Sequence, residues 1–215
     1  FSITFIICFM SEHNILGAIL AGGKSKRMGK DKLFIKLNNK MLIEHTVDKV
    51  KKYLNDMIIV TNQKNEYFLK RKLITVNDCI EGQLGPLVGI LTAMKWAKEN
   101  LKECSWVATF PCDTPFFPET IIKKFIEKSK NKDSLLFCAS SHERKHNIFG
   151  LWSLELYEKL KDDLMNKRIR KVQDWTEKHK ITKVEFKFKE YDPFFNINTL
   201  DDLETAKKII KNEKK

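Results

Sequence analysis

Short apolar runs alternate along this chain with longer segments of helical periodicity. The runs lie at 15–20, 57–61, 73–76, 106–110 and 135–139. Helical patterns lie between or after them at 41–54, 65–72, 86–98 and 118–130. This alternation is typical of strands joined by crossover helices in a largely parallel sheet. It predicts an α/β fold of three layers, in which a mainly parallel mixed sheet carries helices on both faces.

Beyond residue 140 the alternation loosens. We predict a strand at 144–152, a helical stretch with one break at 153–179, a half-exposed strand at 181–188 and a closing helix at 199–212. Thr199, with Asp202 three residues later, is typical of a capping box at the start of that last helix. No internal repeat or Gly/Ser linker divides the 215 residues, so we expect a single domain over 10–215.

The first nine residues are expected to be a non-native or disordered leader, with Met10 as the true start. The apolar run that they begin is far shorter than the roughly 20 residues that a membrane span needs. It also lacks the positive residues that open a signal peptide. No membrane association is therefore predicted.

The net charge of +12 comes from 40 basic and 28 acidic residues. Only five of the basic residues are arginine, and the abundant Lys accompanies many Ile and Asn, as an A+T-rich coding sequence would produce. We therefore do not take the charge as a sign of a nucleic-acid partner. The five cysteines form no C-x-x-C pair, which argues against a zinc or redox motif and favours reduced thiols in the cytoplasm.

The strongest local motif is L-A-G-G-K-S-K-R-M-G-K-D-K at 20–32. Glycines such as Gly22 and Gly23 directly after a buried strand let backbone N–H groups approach an anion closely. Arg27 and Lys32 add positive charge suited to a phosphate chain. The motif fits neither the Walker A nor the G-x-G-x-x-G pattern, and an ordinary Gly turn with a solvated Lys-rich loop is the alternative.

A second motif, P-C-D-T-P-F at 111–116, places Asp113 just past a strand and between two prolines. A carboxylate restricted in this way suits a hard cation such as Mg²⁺. Such a cation would neutralise charge on a leaving pyrophosphate. The alternative is a turn in which Asp113 only caps backbone amides.

Further polar residues follow other strands and should reach the same sheet edge. Asp78, with Gly85 and Gly89 in the next helix entrance, could shape a nucleotide or acceptor pocket, although a turn and a helix start explain them equally well. Asn196 and Asn198 have the same parity and should point to one side of an extended segment. Nothing in the pattern supports nucleophilic catalysis, and His146 is the only histidine that we keep as a candidate.

Three segments, 20–32, 111–116 and 196–203, closely resemble the signatures of the molybdenum cofactor guanylyltransferase family in order and spacing. The resemblance extends from Ile15 to about residue 210. It implies a Rossmann-like fold similar to nucleotide-diphospho-sugar transferases. It also implies transfer of GMP from Mg²⁺-bound GTP to the phosphate of molybdopterin, with release of pyrophosphate. GTP, molybdopterin and other molybdenum cofactor proteins would be the partners.

The resemblance also implies roles for particular residues. Backbone groups of Leu20, Ala21 and Gly22 would contact the nucleotide, and Lys32 would reach its phosphates. Asp78 would help to bind GTP, and Asp113 would bind both nucleotide and Mg²⁺. Asn196 and Asn198 match positions linked to the acceptor side and the metal.

The motifs and the resemblance together give three groups of candidate residues. The catalytic group is Arg27, Lys32 and Asp113. The nucleotide group is Leu20, Ala21, Gly22, Gly23, Lys32, Thr61, Asn62, Asp78 and Asp113, where Thr61 holds a place at which the family often has Asn. The acceptor group is Gly85, Gly89, Asn196 and Asn198. We expect Lys32 and Asp113 to face each other across one cleft.

Two alternatives remain open. A related enzyme could use CTP on the same pterin or on another phosphorylated acceptor, although Gly22-Gly23 and Cys112 favour guanylyl transfer. A basic RNA-binding module without catalysis is the other, but the chain lacks the aromatic pattern of RNA-recognition motifs.

Overall fold

The computed structural model describes residues 15–22, 32–63, 65–82, 85–130, 134–188 and 190–213. These ranges form nine strands and seven α-helices. The strands are β1 (Ile15–Leu20), β2 (Lys36–Leu37), β3 (Lys40–Met41), β4 (Met57–Val60), β5 (Thr75–Val76), β6 (Trp106–Pro111), β7 (Leu136–Ser141), β8 (Arg144–Ser153) and β9 (Thr182–Glu185). The helices are α1 (Leu42–Lys51), α2 (Glu66–Lys70), α3 (Pro86–Asn100), α4 (Thr120–Ser129), α5 (Tyr157–Met165), α6 (Val172–Lys178) and α7 (Leu200–Glu213).

Seven strands form one sheet in the order β5-β4-β1-β6-β8-β7-β9. β1 pairs in parallel with β4 and β6, β4 with β5, and β7 with β9. Only β8 runs against its neighbours, β6 and β7. The mainly parallel mixed sheet predicted from the alternation of elements is confirmed.

Residues of β1 alternate between two apolar clusters, one on each face of the sheet. Ile15 and Ile19 pack into a cluster that includes apolar side chains of α1 and α4. Leu16 and Ala18 pack into a second cluster with α3, α5 and α6. Because both faces of the strand are covered, nearly all of its residues are apolar, as a central parallel strand requires. The predicted three-layer arrangement is therefore present.

A small hairpin of β2 and β3 lies outside the main sheet and was not predicted. Its turn residues, Asn38 and Asn39, have φ values of 51° and 67°. Positive φ at both central residues is the geometry of the two-residue turn that matches strand twist, and Asn tolerates it better than most residues. Leu37 of this hairpin joins a third apolar cluster with Leu203 and Ala206 of α7.

The later part of the chain follows the prediction with changed boundaries. The helical stretch after β8 is a single 3₁₀ turn followed by α5 and α6, with the break at 166–171. The strand predicted at 181–188 ends at Glu185. The capping box is confirmed: Asp202 Oδ2 accepts from the Thr199 N–H, and Thr199 Oγ1 accepts from the Asp202 N–H.

Three further predictions concern the first residues of the chain, membrane association and the cysteines. Residues 1–14, which include the expected leader, lie outside the described residues. In the described part of the chain, no helix combines the length and the apolar character that a bilayer span demands. The four described cysteines, Cys79, Cys104, Cys112 and Cys138, form no disulfide bonds with one another.

Candidate active site

The carboxyl ends of β1, β4 and β6 meet at one edge of the sheet. The Ala21 N–H donates to Val60 O at 2.9 Å, and the Thr61 N–H donates to Val76 O at 2.9 Å. These bonds continue the strand pairing by one residue and fix where the loops leave the sheet. Crossover loops and helix N-termini converge at such an edge, which is where open α/β sheets bind ligands.

Lys32, Asp113 and Asn198 meet at this edge although they are far apart in sequence. The Lys32 ammonium donates to Asp113 Oδ2 and to Asn198 Oδ1, each at 2.7 Å. The side chains of Lys32 and Asp113 keep 12% and 24% of their exposure, so the ion pair is largely shielded but reachable. The residues predicted to face each other across a cleft are thus in direct contact in this structure.

The segment that carries the two candidate asparagines runs beside the Asp113 turn. The Ile197 N–H donates to Asp113 O at 2.9 Å, and Ile197 is fully buried, whereas Asn196 and Asn198 on either side are exposed. Thr114 Oγ1 lies 2.5 Å from Asn196 Oδ1, to which it donates. Both amides therefore face the carboxylate edge, as their shared parity predicts.

Asn62 and Asp78 form a reciprocal pair at the ends of β4 and β5. Asn62 Nδ2 donates to Asp78 Oδ2 at 2.8 Å, and Asn62 Oδ1 accepts from the Asp78 N–H at 2.8 Å. Both side chains belong to the polar edge. Thr61, by contrast, is 1% exposed and accepts from the Gln63 N–H, so at this strand end the exposed polar side chain is that of Asn62.

The candidate glycines differ in what surrounds them. Gly85 caps α3 with φ +85°, which strains any other residue, and a Cβ there would lie 3.5 Å from Arg170 O. Gly89 is buried in α3, where a Cβ would lie 3.3 Å from Leu20 Cδ2 and 3.7 Å from Val60 Cγ1. The position of Gly89 lets α3 approach the strand ends closely, and any contact of Gly89 with a substrate would be indirect.

The glycine-rich loop is described only at its start. Ala21 is buried, while Gly22 is exposed and has open space where a Cβ would be. The backbone at Gly22 is thus free of steric cover from the described residues. Gly23 and Arg27 lie outside the described residues.

His146 of β8 lies on the β7 side of the edge. Its Nε2 is 2.6 Å from Ser141 Oγ, and its ring stacks on Phe194 with centroids 4.1 Å apart. Burial lowers the pKa of His146 to about 4, with the Arg144 charge acting in the same direction and Asp192 and Glu185 opposing it. The imidazole is therefore neutral at neutral pH.

The side-chain oxygens at this edge are suitable ligands for a hard divalent cation. Asp113 supplies a carboxylate and Asn198 an amide oxygen, and the Lys32 ammonium already bridges these two oxygens. Oxygen ligands of this kind are those that Mg²⁺ prefers. The described residues contain no group of three or more acidic, His or Cys side chains that could hold a metal. A cation here would thus complete its coordination with phosphate oxygens and water, as Mg²⁺ commonly does.

Sequence reasoning missed Thr114. Its buried hydroxyl lies between Asp113 Oδ1, at 3.2 Å, and Asn196 Oδ1. It therefore connects the Asp113 turn to the segment that carries Asn196 and Asn198. The only sequence signal was its place inside the Pro-flanked turn, because its partner lies 82 residues away.

A family model described as "MobA-like NTP transferase domain" matches residues 17–181 of this chain. A molybdenum cofactor guanylyltransferase of Mesorhizobium japonicum is 34% identical over 205 residues, which cover 94% of this chain and 98% of that protein. The enzyme of the same name from Haemophilus influenzae is 36% identical over 190 residues, covering 88% and 95%.

The fold is also that of a solved structure. The molybdopterin-guanine dinucleotide biosynthesis protein A of Archaeoglobus fulgidus superposes with a TM-score of 0.72, covering 92% of this chain and 99% of that one. The two sequences are 21% identical. The similarity supports the same arrangement of strands and helices.

Proposed function

The chain belongs to the MobA-like NTP transferase family, and from this premise we propose that it transfers GMP from GTP to the terminal phosphate of molybdopterin. The products are molybdopterin guanine dinucleotide and pyrophosphate. The observation that carries the proposal is the contact of Lys32 with both Asp113 and Asn198 at the end of the strands. This contact joins a cation, a carboxylate and an acceptor-side amide from three distant parts of the chain.

The nucleotide half of the site comprises the loop after β1 and the Asn62–Asp78 pair. The backbone at Leu20, Ala21 and Gly22 would lie along the nucleotide. Asp78 is a suitable partner for guanine, because a carboxylate can accept from two adjacent N–H donors at once. Asn62 holds Asp78 in place, because its Nδ2 donates to the carboxylate and its Oδ1 accepts from the Asp78 backbone N–H. Gly23 and Arg27 are proposed to extend this half toward the phosphates.

Transfer needs little covalent chemistry from the protein. The acceptor phosphate is an anion at neutral pH, so no general base is required, and the neutral His146 need not supply one. The barrier comes from repulsion between two polyanions and from alignment of the attacking oxygen, the α-phosphorus and the leaving oxygen. We propose that Lys32, once nucleotide binds, shifts its hydrogen bonds from Asp113 toward a phosphate and offsets part of that repulsion.

A divalent cation is expected for this family, and we propose Mg²⁺ held by Asp113. When bound, such a cation neutralises charge on the phosphate oxygens and on the leaving pyrophosphate. Asn196 and Asn198 are proposed to orient the acceptor beside it. Gly85 would contribute by shaping the entrance to α3, and Gly89 by keeping α3 close to the strand ends.

Because GTP is the proposed nucleotide donor and the described cysteines form no disulfide bonds with one another, we propose that the reaction takes place in the cytoplasm. Other proteins that handle the molybdenum cofactor are the proposed partners.

The deciding experiment supplies purified molybdopterin, Mg²⁺ and labelled GTP, CTP or ATP to the purified protein. We expect label from GTP to become attached to the pterin, with one pyrophosphate released for each nucleotide transferred. A clear preference for CTP would contradict the proposal and favour the cytidylyltransferase alternative. Release of pyrophosphate without a labelled pterin product would contradict the proposed acceptor.

A further inference from the structure

The loop between β6 and α4 carries Asp113, and its own backbone can do little to hold it in place. Pro115 and Pro118 lack N–H groups, which removes two donors from a short connection. Carbonyl groups in such a loop still need partners where they are shielded from water. Donors from outside the loop can therefore help to hold its backbone in place.

Lys49 of α1 supplies such donors. Its ammonium donates to Pro115 O and to Phe117 O, each at 2.7 Å. It also lies 4.7 Å from the centre of the Phe117 ring, within the range of a cation–π interaction. One side chain thus holds two carbonyls of the loop, two and four residues after Asp113.

The loop is fixed further on either side of this contact. The buried Phe117 ring stacks on Phe110 with centroids 5.6 Å apart and contacts Phe149 at 5.2 Å. On the other side, the Ile197 N–H binds Asp113 O. Lys49 connects the Asp113 end of the loop to the buried Phe117 ring, because it binds the carbonyls of both Pro115 and Phe117.

We propose that Lys49 is a positioning residue that holds the Asp113 loop in the geometry needed to bind the metal–nucleotide complex. The proposal rests on the function proposed above, since it assumes that Asp113 holds the cation. Among the described residues, Lys32 and Thr114 donate to the Asp113 carboxylate, whereas Lys49 donates to the carbonyls of Pro115 and Phe117. Its effect is exerted through the backbone at Pro115 and Phe117.

The test compares three variants with the wild type. Lys49→Met removes both hydrogen bonds and keeps most of the side-chain volume. Lys49→Arg retains donors and charge and should restore part of the function. Lys51→Met makes the same change at an exposed lysine of the same helix, and it controls for the loss of one positive charge.

Activity alone would not separate positioning from a general structural role. The activity-independent measurements are therefore Mn²⁺ binding in the presence of GTP, followed by electron paramagnetic resonance, and amide hydrogen exchange over residues 112–117. We expect Lys49→Met to speed exchange in that segment and to weaken Mn²⁺ binding about tenfold or more, the range seen for groups that support metal ligands. We expect kcat to fall by about 10- to 100-fold, and the KM for Mg²⁺-bound GTP to rise together with the loss of metal affinity.

Three results would distinguish the possibilities. If Lys49→Met and Lys51→Met share the same Mn²⁺ affinity and kcat, the positioning role is wrong, even where exchange or thermal stability differs. If Lys49→Arg is no better than Lys49→Met in Mn²⁺ affinity and kcat, hydrogen bonding to the loop is not the cause. If wild type and Lys51→Met transfer no nucleotide at all, the proposed function fails, whereas the Mn²⁺–GTP measurement still decides the role of Lys49.

Discussion

At the scale of single residues, the Lys32 ammonium uses the two oxygens that a divalent cation would use. It binds Asp113 Oδ2 and Asn198 Oδ1 at 2.7 Å each. With its charge offset in this way, Asp113 has little attraction left for a free metal ion. We infer that the cation enters together with the nucleotide, whose phosphates draw Lys32 away.

This competition gives the first prediction. Lys32→Met removes the ammonium, so Mn²⁺ should bind the nucleotide-free protein about tenfold more tightly than it binds wild type, because the loss of a competing positive charge at contact distance is worth on the order of 1 kcal/mol or more. Nucleotide transfer should be lost in the same variant. The measurement is a Mn²⁺ titration by electron paramagnetic resonance. Unchanged Mn²⁺ affinity would mean that Lys32 does not compete for Asp113.

The second prediction concerns Asp113 itself. Asp113→Asn keeps the size of the side chain but removes its charge, so turnover should fall by about 100- to 1,000-fold, the range for one electrostatic group that stabilises a transition state. Thermal unfolding should change little, because the carboxylate is partly exposed. Pyrophosphate release is the assay, and Asp48→Asn, at an exposed surface ion pair with Lys40, is the control. A near-normal rate for Asp113→Asn would exclude the assigned role.

Sequence reasoning could find the residues with motif signatures but not those that support them. Lys32, Asp113 and Asn198 each follow an apolar run or a turn pattern, so their common edge was predictable from the topology of parallel strands. Thr114 and Lys49 act through partners 82 and at least 66 residues away. No local pattern encodes such contacts, since Lys49 lies in an ordinary amphipathic helix.

At the scale of elements, the break between α5 and α6 is organised around one buried carboxylate. Asp163 is 0% exposed, and Lys167 Nζ donates to its Oδ1 at 2.7 Å. Its Oδ2 accepts from Trp175 Nε1 at 3.1 Å and lies 3.1 Å from His179 Nε2. Burial acts to raise the pKa of Asp163, but the hydrogen bonds from Lys167 and His179 outweigh it and hold the pKa at about 2.

The third prediction follows from this network. Asp163→Ala leaves buried donors without a partner, so it should destabilise the protein by about 3 kcal/mol or more and lower Tm by roughly 10 °C at pH 7. Because the folded pKa lies below the ordinary 3.8, this stabilisation is complete above about pH 4 and is lost as the pH falls toward 2. The Tm difference between wild type and Asp163→Ala should therefore narrow over that range.

Asp162 provides the matched control. It is the preceding residue of α5 and also binds Lys167, at 2.5 Å, but its side chain is 45% exposed. Exposed ion pairs contribute little, so Asp162→Ala should change Tm by less than about 2 °C. An equal decrease in Tm in the two variants would show that burial of Asp163 is not the source of the stabilisation.

Among the elements, those with long periodic patterns were predictable and the hairpin strands β2 and β3 were not. β1 has the predicted bounds, and the 166–171 break appears in a stretch predicted to be helical with one break. β2 and β3 have two residues each, too few for a period to emerge. The Asn38–Asn39 pair was the available signal, since two successive residues that tolerate positive φ favour a tight hairpin turn.

At the scale of the whole molecule, the third apolar cluster connects the last helix to the first half of the chain. Leu203 and Ala206 of α7 pack with Leu37 and Leu42, which lie in β2 and at the start of α1. Asp202, beside Leu203, caps the helix and binds the Asn198 N–H at 2.8 Å. Docking of α7 therefore sets the position of the asparagine segment relative to Lys32.

Sheet order and layers follow from general rules, since both faces of a parallel sheet must be covered and crossovers place helices there. The docking of α7 does not follow from such rules. Its apolar stripe predicts burial, but the surface that receives it includes β2 and the start of α1. That surface could not be predicted without the hairpin.

The fourth prediction tests this docking. Leu203 is 8% exposed and Leu200, on the same helix, is 62% exposed. Leu203→Ala should cost roughly 3 kcal/mol and lower Tm by about 5–10 °C, as expected for loss of a buried side chain in a domain of this size. Leu200→Ala should change neither stability nor activity.

At a temperature where both variants are folded, Leu203→Ala should raise the KM for the acceptor while GTP affinity stays within about twofold, because the displaced segment carries Asn196 and Asn198 but not the Asn62–Asp78 pair. Isothermal titration with GTP and steady-state kinetics over acceptor concentration would measure the two effects. If GTP affinity weakened by the same factor as the acceptor KM rose, α7 would support the whole site and not its acceptor half alone.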